Sequence, residues 1–162
     1  MPSRTVNGST QMSRQVVVDT NVLVALIDTR DKWHRQADEL LAALEQQNAT
    51  LVYFDCIVNE TITVLARRLE EQKRSDEFPE LLRRLLDQVP DAAIDWLSLE
   101  TRRLYPSVLD LVRQTNGVLN FHDALIAVGC RELGIEAIVT FDVDFEQVVW
   151  LTRISDPSHV QS

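Results

Sequence analysis

Residues 15–27 have the sequence QVVVDTNVLVALI, in which a single carboxylate, Asp19, separates two apolar runs. The run that precedes it is short and β-branched, which predicts a buried strand over residues 15–19. A charge buried in apolar surroundings costs several kcal/mol, roughly, unless it is paired, hydrogen-bonded or bound to a metal. The folded chain must therefore contain something that compensates the charge of Asp19.

Strand and helix patterns alternate along the rest of the chain. Apolar runs predict further strands over 50–54, 93–97 and 137–140, with a weaker candidate over 148–152. Apolar residues at helical spacing predict helices over 33–47, 56–69, 78–89, 100–114 and 121–133. Pro90 ends the third of these helices, and the fourth is interrupted or begins anew near Pro106. Because short strands separated by helices are typical of βαβ units, we predict an α/β fold with a mostly parallel sheet and helices on both faces.

Length and composition predict one domain. With 162 residues, 45% of them hydrophobic, the chain can supply a single core. We place that domain at residues 14–155, between a disordered polar tail over 1–13 and a short C-terminal tail over 156–162. Cys56 and Cys130 lie in apolar helical runs and are expected to be buried, reduced thiols. No apolar segment is long enough for a membrane span or a signal peptide, so we expect a soluble, cytoplasmic protein.

The net charge of −9, from 16 basic and 25 acidic residues, argues against broad electrostatic attraction to nucleic acid or to an anionic membrane. Binding of a polyanion would instead depend on a local basic surface. Eight basic residues are candidates for it, although most are expected to lie on solvated helix faces: Arg67, Arg68, Lys73, Arg74, Arg83, Arg84, Arg102 and Arg103.

Four acids occur where the predicted elements meet the core. Asp19 follows the first predicted strand and Asp142 follows the fourth, so both are expected at the carboxyl edge of the sheet, where α/β proteins bind ligands. Glu60 lies in a helix with hardly any predicted solvent face, and Asp123 opens a helix that is apolar on every side. Taken singly, Asp19 could also be the N-cap of the next helix, and Asp142 could also be a turn residue. Asp123 with Asn120 resembles a capping arrangement, whereas a cap role does not explain Glu60.

In their order and spacing, these acids and the segments around them resemble the PIN-domain nucleases, particularly the small VapC-type toxins. The resemblance covers about residues 15–152. It is carried by VVVDTNVL at residues 16–23, Glu60 on a later helix, FHDALIA at residues 121–127 and IVTFDVDF at residues 138–145. The family implies a three-layer α/β/α sandwich with a mostly parallel central sheet.

By this resemblance, four acids bind metal and catalyse the reaction, and three polar residues support them. The acids are Asp19, Glu60, Asp123 and Asp142, and the supports are Thr20, Asn21 and Thr140. Asp144 could share or take the role of Asp142, and His122 is a local variation with no assigned role. The family further implies divalent-metal-dependent cleavage of single-stranded or structured RNA, a homodimer, and an antitoxin protein that blocks the site.

Carboxylates suit this chemistry because hard Mg²⁺ or Mn²⁺ prefers carboxylate oxygen and water. A bound metal lowers the pKa of its water from about 15.7, so that the water can attack phosphorus. One ion or a pair of ions is compatible with the four acids. A zinc site of usual spacing is not supported, because the three histidines are scattered and the two cysteines are far apart.

Several other functions are alternatives. The chain has neither GxxxxGK[ST] nor GxGxxG, so the P-loop and dinucleotide-binding interpretations fail. A phosphatase on a similar fold normally needs a lysine late in the chain, and the last lysine here is Lys73. Two alternatives keep the fold and the acids: a stand-alone PIN-type RNA-processing nuclease, and a non-catalytic module that binds RNA or protein.

Overall fold

Val16, Val17 and Val18 are fully buried at the centre of the sheet, which is why three adjacent β-branched residues form a strand here. The computed structural model describes residues 13–161. Five strands of this part of the chain form one sheet: β1 Gln15–Val18, β2 Thr50–Phe54, β3 Ile94–Asp95, β4 Ala137–Val139 and β5 Thr152–Ile154. Every strand pairing in it is parallel, which confirms the predicted sheet.

The strand order is β3-β2-β1-β4-β5, so the chain extends the sheet first in one direction and then in the other. Val16 of β1 pairs with Leu51 of β2, and Val18 of β1 pairs with Val139 of β4. The order therefore reverses between β1 and β4. In open α/β sheets a crevice forms at such a reversal, outside the carboxyl ends of the strands. The ends of β1 and β4 are thus where a ligand site is expected.

Helices cover both faces of the sheet. The described residues form α1 Thr20–Ile27, α2 His34–Gln46, α3 Asp55–Glu71, α4 Phe78–Gln88, α5 Thr101–Gln114 and α6 Phe121–Glu132. α1 contacts α2, α3 and α4, whereas α5 and α6 pack on each other. Because parallel crossovers are right-handed, the reversal of strand order puts α5 and α6 on the opposite face. The result is the predicted three-layer α/β/α sandwich.

The burial of each helix follows its apolar spacing. α4 buries Leu81 and Leu85 on one side, whereas α6 is buried along seven consecutive residues, 124–130. α1 is also buried on almost every side, so it lacks the alternation of polar and apolar faces by which a helix is predicted. No helix within residues 13–161 is both long and apolar enough to cross a membrane.

Two strand predictions were wrong in extent or position. The strand predicted over 93–97 is only β3, because short 3₁₀ helices precede and follow its two residues. The fifth strand lies at Thr152–Ile154 rather than 148–152, since the pairing with β4 begins with Thr152 opposite Ala137. Pro106 neither interrupts nor restarts a helix, because α5 continues through it.

The two predicted tails lie at the limits of the described chain. Residues 1–12 of the N-terminal tail lie outside the described residues, and Ser13 Oγ lies 2.5 Å from Thr50 Oγ1 of β2. The C-terminal tail contains a 3₁₀ helix, Pro157–Gln161, which contacts α2 and buries Val160. Part of that segment is therefore packed onto the fold. The domain limits of 14–155 stay a prediction.

An ion pair joins the end of α1 to the end of α3. Arg74 donates from both terminal nitrogens to the two carboxylate oxygens of Asp28, each at 3.0 Å. The side chain of Asp28 is only 10% exposed and that of Arg74 13%. Burial raises the pKa of Asp28, but the hydrogen bonds from Arg74 and from the Arg30 N–H outweigh it, so the pKa lies below its ordinary value. This pair fixes the loop that follows α1.

Asp28→Asn is expected to lower the free energy of unfolding near neutral pH by about 2 kcal/mol, the scale of hydrogen bonds to a charged group. Because the folded state lowers the pKa of Asp28, the stabilisation is present above the unfolded-state pKa of about 4 and is lost as pH falls through the folded-state value. Urea unfolding of wild type and variant at neutral pH and near pH 3 measures both effects. A difference that grew toward acid pH would contradict this role.

Candidate active site

The site begins where β1 and β4 end side by side. The Asp19 N–H donates to the carbonyl oxygen of Val139 at 3.0 Å, so the residue after β1 is attached to the last residue of β4. Thr140 follows β4 directly and is fully buried. Sequence position at the strand ends therefore brings Asp19 and Thr140 together, although 121 residues separate them.

A network of hydrogen bonds centres on the Thr140 hydroxyl. It donates to Asp19 Oδ2 at 2.7 Å and accepts from Asn21 Nδ2 at 3.1 Å and from the Asp142 N–H at 3.0 Å. Asn21 also donates to Asp19 Oδ2 at 3.2 Å and accepts the Phe141 N–H at 3.0 Å. The two predicted supports, Asn21 and Thr140, thus contact Asp19 and hold the backbone beyond β4.

Hydrogen bonds stabilise the charged form of the Asp19 carboxylate only in part, so its pKa is also shifted. Its side chain also accepts the Thr20 N–H at 2.8 Å, so it serves as the N-cap of α1 as well. Burial nevertheless raises the pKa of Asp19 to about 6; the hydrogen bonds oppose this rise, while the charges of Asp123 and Glu60 add to it. The capping interpretation and a binding role are therefore compatible for this residue.

Asp123 lies in the first turn of α6, but it is not the cap. Asn120 is the N-cap, and its side-chain oxygen accepts the Asp123 N–H at 3.0 Å. The Asn120 N–H in turn lowers the pKa of the Asp123 carboxylate, and no side chain within residues 13–161 donates a hydrogen bond to that carboxylate. Burial raises its pKa to about 6, and the neighbouring charge of Asp142 contributes to the rise. This carboxylate is therefore available to a ligand.

Glu60 is less buried than the sequence predicted. Its side chain is 41% exposed, because its side of α3 borders an open cleft. Thr20 Oγ1 donates to Glu60 Oε2 at 2.7 Å, and His122 Nε2 lies 2.6 Å from the same oxygen. Contact with His122 lowers the pKa of Glu60, against the effect of burial. Glu60 is therefore kept ionised at the side of the cleft.

His122 is a residue of the site to which the sequence assigned no role. The contact with Glu60 is close, yet the imidazole N–H is not aligned for a hydrogen bond with any group in the described chain. Burial lowers the pKa of His122, but the contact with Glu60 and the charges of Asp123 and Asp19 outweigh it, and the pKa lies above its ordinary value. Its position next to Asp123 was the only available signal.

A cleft of about 250 Å³ brings the four predicted acids together. Its lining consists of Asp19, Thr20, Asn21, Glu60, Val64, Arg67, Arg68, Asn120, Asp123 and Asp142. Asp144 is not part of this lining; its N–H donates to Asp142 Oδ1 at 2.9 Å, which caps a short 3₁₀ helix. A larger hollow of about 410 Å³, beside Gln15, contains a single acid, Glu136. The charge cluster thus belongs to the cleft at the strand ends.

The donor set of this cleft fits a hard divalent cation. Carboxylates dominate it. Burial is the main cause of the raised pKa values of Asp19 and Asp123, and the charges of neighbouring acids add to the rise. In residues 13–161, no three His, Cys, Asp or Glu side chains are already close enough to enclose an ion. Mg²⁺ usually keeps several waters and takes only one or two carboxylates directly, so it does not require such a cage.

Arginine was not expected inside an acidic cleft. Arg67 and Arg68, both on α3, line it together with the acids. They lie seven and eight residues after Glu60, and a helix repeats its face at that spacing. The sequence predicted these two arginines only as candidates for a local basic surface, not as residues of the acidic site.

Two solved structures share the fold of this chain. VapC20 of Mycobacterium tuberculosis, described as a sarcin-ricin loop cleaving toxin, is 22% identical with a TM-score of 0.65, over 84% of this chain and 96% of its own. VapBC2 of Rickettsia felis, solved bound to a DNA fragment from its promoter, is 17% identical with a TM-score of 0.60, over 86% and 97%. At these identities the similarity concerns the fold alone. No curated protein sequence matches the chain.

The family follows from the sequence itself. The model of the PIN domain matches residues 16–151, a segment that starts in β1 and ends just before β5. It includes all four acids of the cleft. Because this match covers most of the 162 residues, the chain belongs to the PIN domain family, as its sequence motifs predicted.

Proposed function

We propose that the protein is a divalent-metal-dependent endoribonuclease that hydrolyses RNA phosphodiester bonds. The observation that carries the proposal is the convergence of Asp19, Glu60, Asp123 and Asp142 on one cleft at the point where strand order reverses. Burial raises the pKa values of Asp19 and Asp123, with smaller contributions from neighbouring acids, and groups with such shifted pKa values cluster at functional sites. Membership in the PIN family supports the same conclusion.

In this proposal the four acids hold Mg²⁺ or Mn²⁺, which supplies an activated water and neutralises charge at phosphorus. The contribution of the chain is to keep the oxygens in place. Thr140 and Asn21 fix Asp19 Oδ2, and Thr20 fixes one oxygen of Glu60. Hydrolysis forms a bond between phosphorus and the water oxygen and breaks one P–O ester bond, and a proton passes to the departing alcohol.

We further propose that this nuclease is the toxin of a toxin–antitoxin pair. The two similar structures are described as a toxin that cleaves the sarcin-ricin loop and as a VapBC complex with promoter DNA. By analogy, the partners of this chain are an RNA substrate, an antitoxin and a second copy in a homodimer, all in the cytoplasm. A stand-alone RNA-processing nuclease and a non-catalytic binding module are the competing functions.

Asp123→Asn is expected to reduce RNA cleavage by at least about 10²-fold, a loss of about 2.7 kcal/mol of transition-state stabilisation, while the fold survives. This variant is cleaner than Asp19→Asn, because Asp19 accepts three hydrogen bonds that an amide would disturb. Cleavage of labelled RNA in Mg²⁺ or Mn²⁺, with chelator as the blank, measures the loss.

Asp144→Asn is the matched control for that experiment, because Asp144 lies only two residues after Asp142 but outside the cleft lining. It should cut RNA at nearly the wild-type rate. If the Asp123 variant cut as fast as wild type, the acids would be structural and the nuclease assignment through them would fail. A wild-type protein that bound RNA without cutting it would instead identify a binding module.

Millimolar Mn²⁺ is expected to raise the melting temperature by mass action, and more at pH 8 than at pH 5.5. Asp19 and Asp123 have pKa values of about 6, so protons compete with the cation at the lower pH. Without metal, stability depends on pH in the opposite direction. The raised pKa values of the two acids stabilise the fold below about pH 4, and this contribution is lost as pH rises through 6. Thermal melts with and without Mn²⁺ test both statements. A melting curve indifferent to Mn²⁺ at pH 8 would refute the metal site.

The antitoxin is expected to inhibit by placing an arginine among the acids, where its guanidinium replaces the cation. Glu60→Gln combined with Asp123→Asn should then weaken the complex by at least about tenfold. Co-expression with any small protein encoded beside the gene, followed by titration of the purified chains, measures this effect. A tight complex whose contacts avoid all four acids would rule out inhibition by this route.

A further inference from the structure

A polyanionic substrate meets a problem of charge at this cleft. RNA carries one negative charge per phosphate, and four carboxylates line the hollow that must receive one of those phosphates. The whole chain adds to the repulsion with its net charge of −9. A divalent cation offsets the charge at the phosphate that is cut. The charges of the neighbouring RNA phosphates would be offset by a basic side chain of the protein.

Most of the basic residues in the middle of the chain are already committed to acids. Five of the eight candidates have a carboxylate oxygen within 3.1 Å: Arg68, Arg74, Arg83, Arg84 and Arg103. Arg68, the second arginine of the cleft, donates to Asp31 at 2.7 Å. The broad basic surface considered from the sequence is thus largely neutralised by neighbouring acids.

Arg67 differs from these residues. It lines the cleft, its side chain is 63% exposed, and its nearest carboxylate oxygen in the described chain, on Glu71, is 4.0 Å away. An exposed helix pair at that distance contributes little to stability. The guanidinium of Arg67 is therefore available to an anion in the cleft. Its distant contact with Glu71 does not explain its position by stability alone.

The position of Arg67 on α3 suits a phosphate beside the one that is cut. Seven residues separate it from Glu60, which places the two Cα atoms about 10 Å apart along the helix axis on the same face. Helical side chains lean toward the amino end, which for Arg67 is the direction of Val64 and Glu60, and all three residues line the cleft. Its charge also helps to lower the pKa of Glu60, which agrees with this orientation.

We propose that Arg67 binds a backbone phosphate of the RNA strand adjacent to the phosphate held by the four acids. This inference rests on the proposed ribonuclease function and names a substrate-binding residue for it. Because arginine presents a planar fork of donors to phosphate oxygens, the contact also limits the path of the strand along α3. The RNA would cross the cleft from the carboxyl ends of β1 and β4 toward the carboxyl end of α3.

The test compares Arg67→Ala with Arg35→Ala. Arg35 is the matched control, because it too is an exposed arginine paired with a glutamate four residues later on a helix, but it lies outside the cleft. Fluorescence anisotropy with a labelled single-stranded RNA, with Ca²⁺ in place of Mn²⁺ and over a range of salt concentrations, measures binding while the acids hold a cation. Cleavage kinetics in Mn²⁺ measure KM and kcat for the same RNA.

Arg67→Ala should lessen the slope of log K against log salt by about 0.7, the value for one phosphate contact with a single strand. KM should rise about tenfold while kcat changes little, since the contact is made equally in the ground and transition states. Arg67→Lys should keep the salt slope, because it keeps the charge. Arg35→Ala should match wild type in all three quantities.

An unchanged salt slope and KM in Arg67→Ala, with a wild type that cuts RNA, would overturn this inference and leave the proposed function intact. Equal losses in Arg67→Ala and Arg35→Ala would overturn it as well, because they would reflect net charge rather than a contact. A wild type that neither binds nor cuts RNA would refute the proposed function, and this inference with it.

Discussion

The Thr140 hydroxyl links the residues that follow the two adjacent central strands, β1 and β4. It donates to Asp19 at the end of β1 and accepts the Asp142 N–H beyond β4, so one oxygen sets the positions of two acids. Asn21 completes its hydrogen bonding. A buried hydroxyl with all its hydrogen bonds satisfied is rigid, and replacing it with an apolar group would leave buried partners unsatisfied. The cleft depends on this arrangement because carboxylates that repel one another must be held in place.

Much of this site could be predicted because its signals are local. A strand of three valines followed at once by Asp19 places a carboxylate at the edge of a buried sheet wherever the other strands lie. Asp142 is placed by the same logic after β4. The rule that ligands bind where strand order reverses then joins the two, although the order itself could not be known before the fold.

The remaining features depend on tertiary contacts, which cannot be predicted from any single segment of the sequence. The sequence pattern exaggerated the burial of Glu60, because the face of α3 that carries it borders a cleft rather than another helix. The contact of His122 with Glu60 requires α6 and α3 to approach each other, which spacing within either helix does not reveal. β3 is short because the flanking 3₁₀ turns satisfy the backbone instead of the ladder. Local pattern predicted which acids come together in the cleft, and packing decides what surrounds them.

The long separation between Asp19 and Thr140 in the chain has a consequence during synthesis. Proteins leave the ribosome from the amino end, and β1, α3 and α6 therefore emerge with Asp19, Glu60 and Asp123 while β4 is still to be made. At that stage Asp19 has neither its hydroxyl partner nor the neighbouring strand. Asp142 follows β4 and is the last of the four acids to arrive. A nascent chain thus carries three of the four acids without a complete cleft, and the growing protein has no assembled site beside the RNA from which it is being translated.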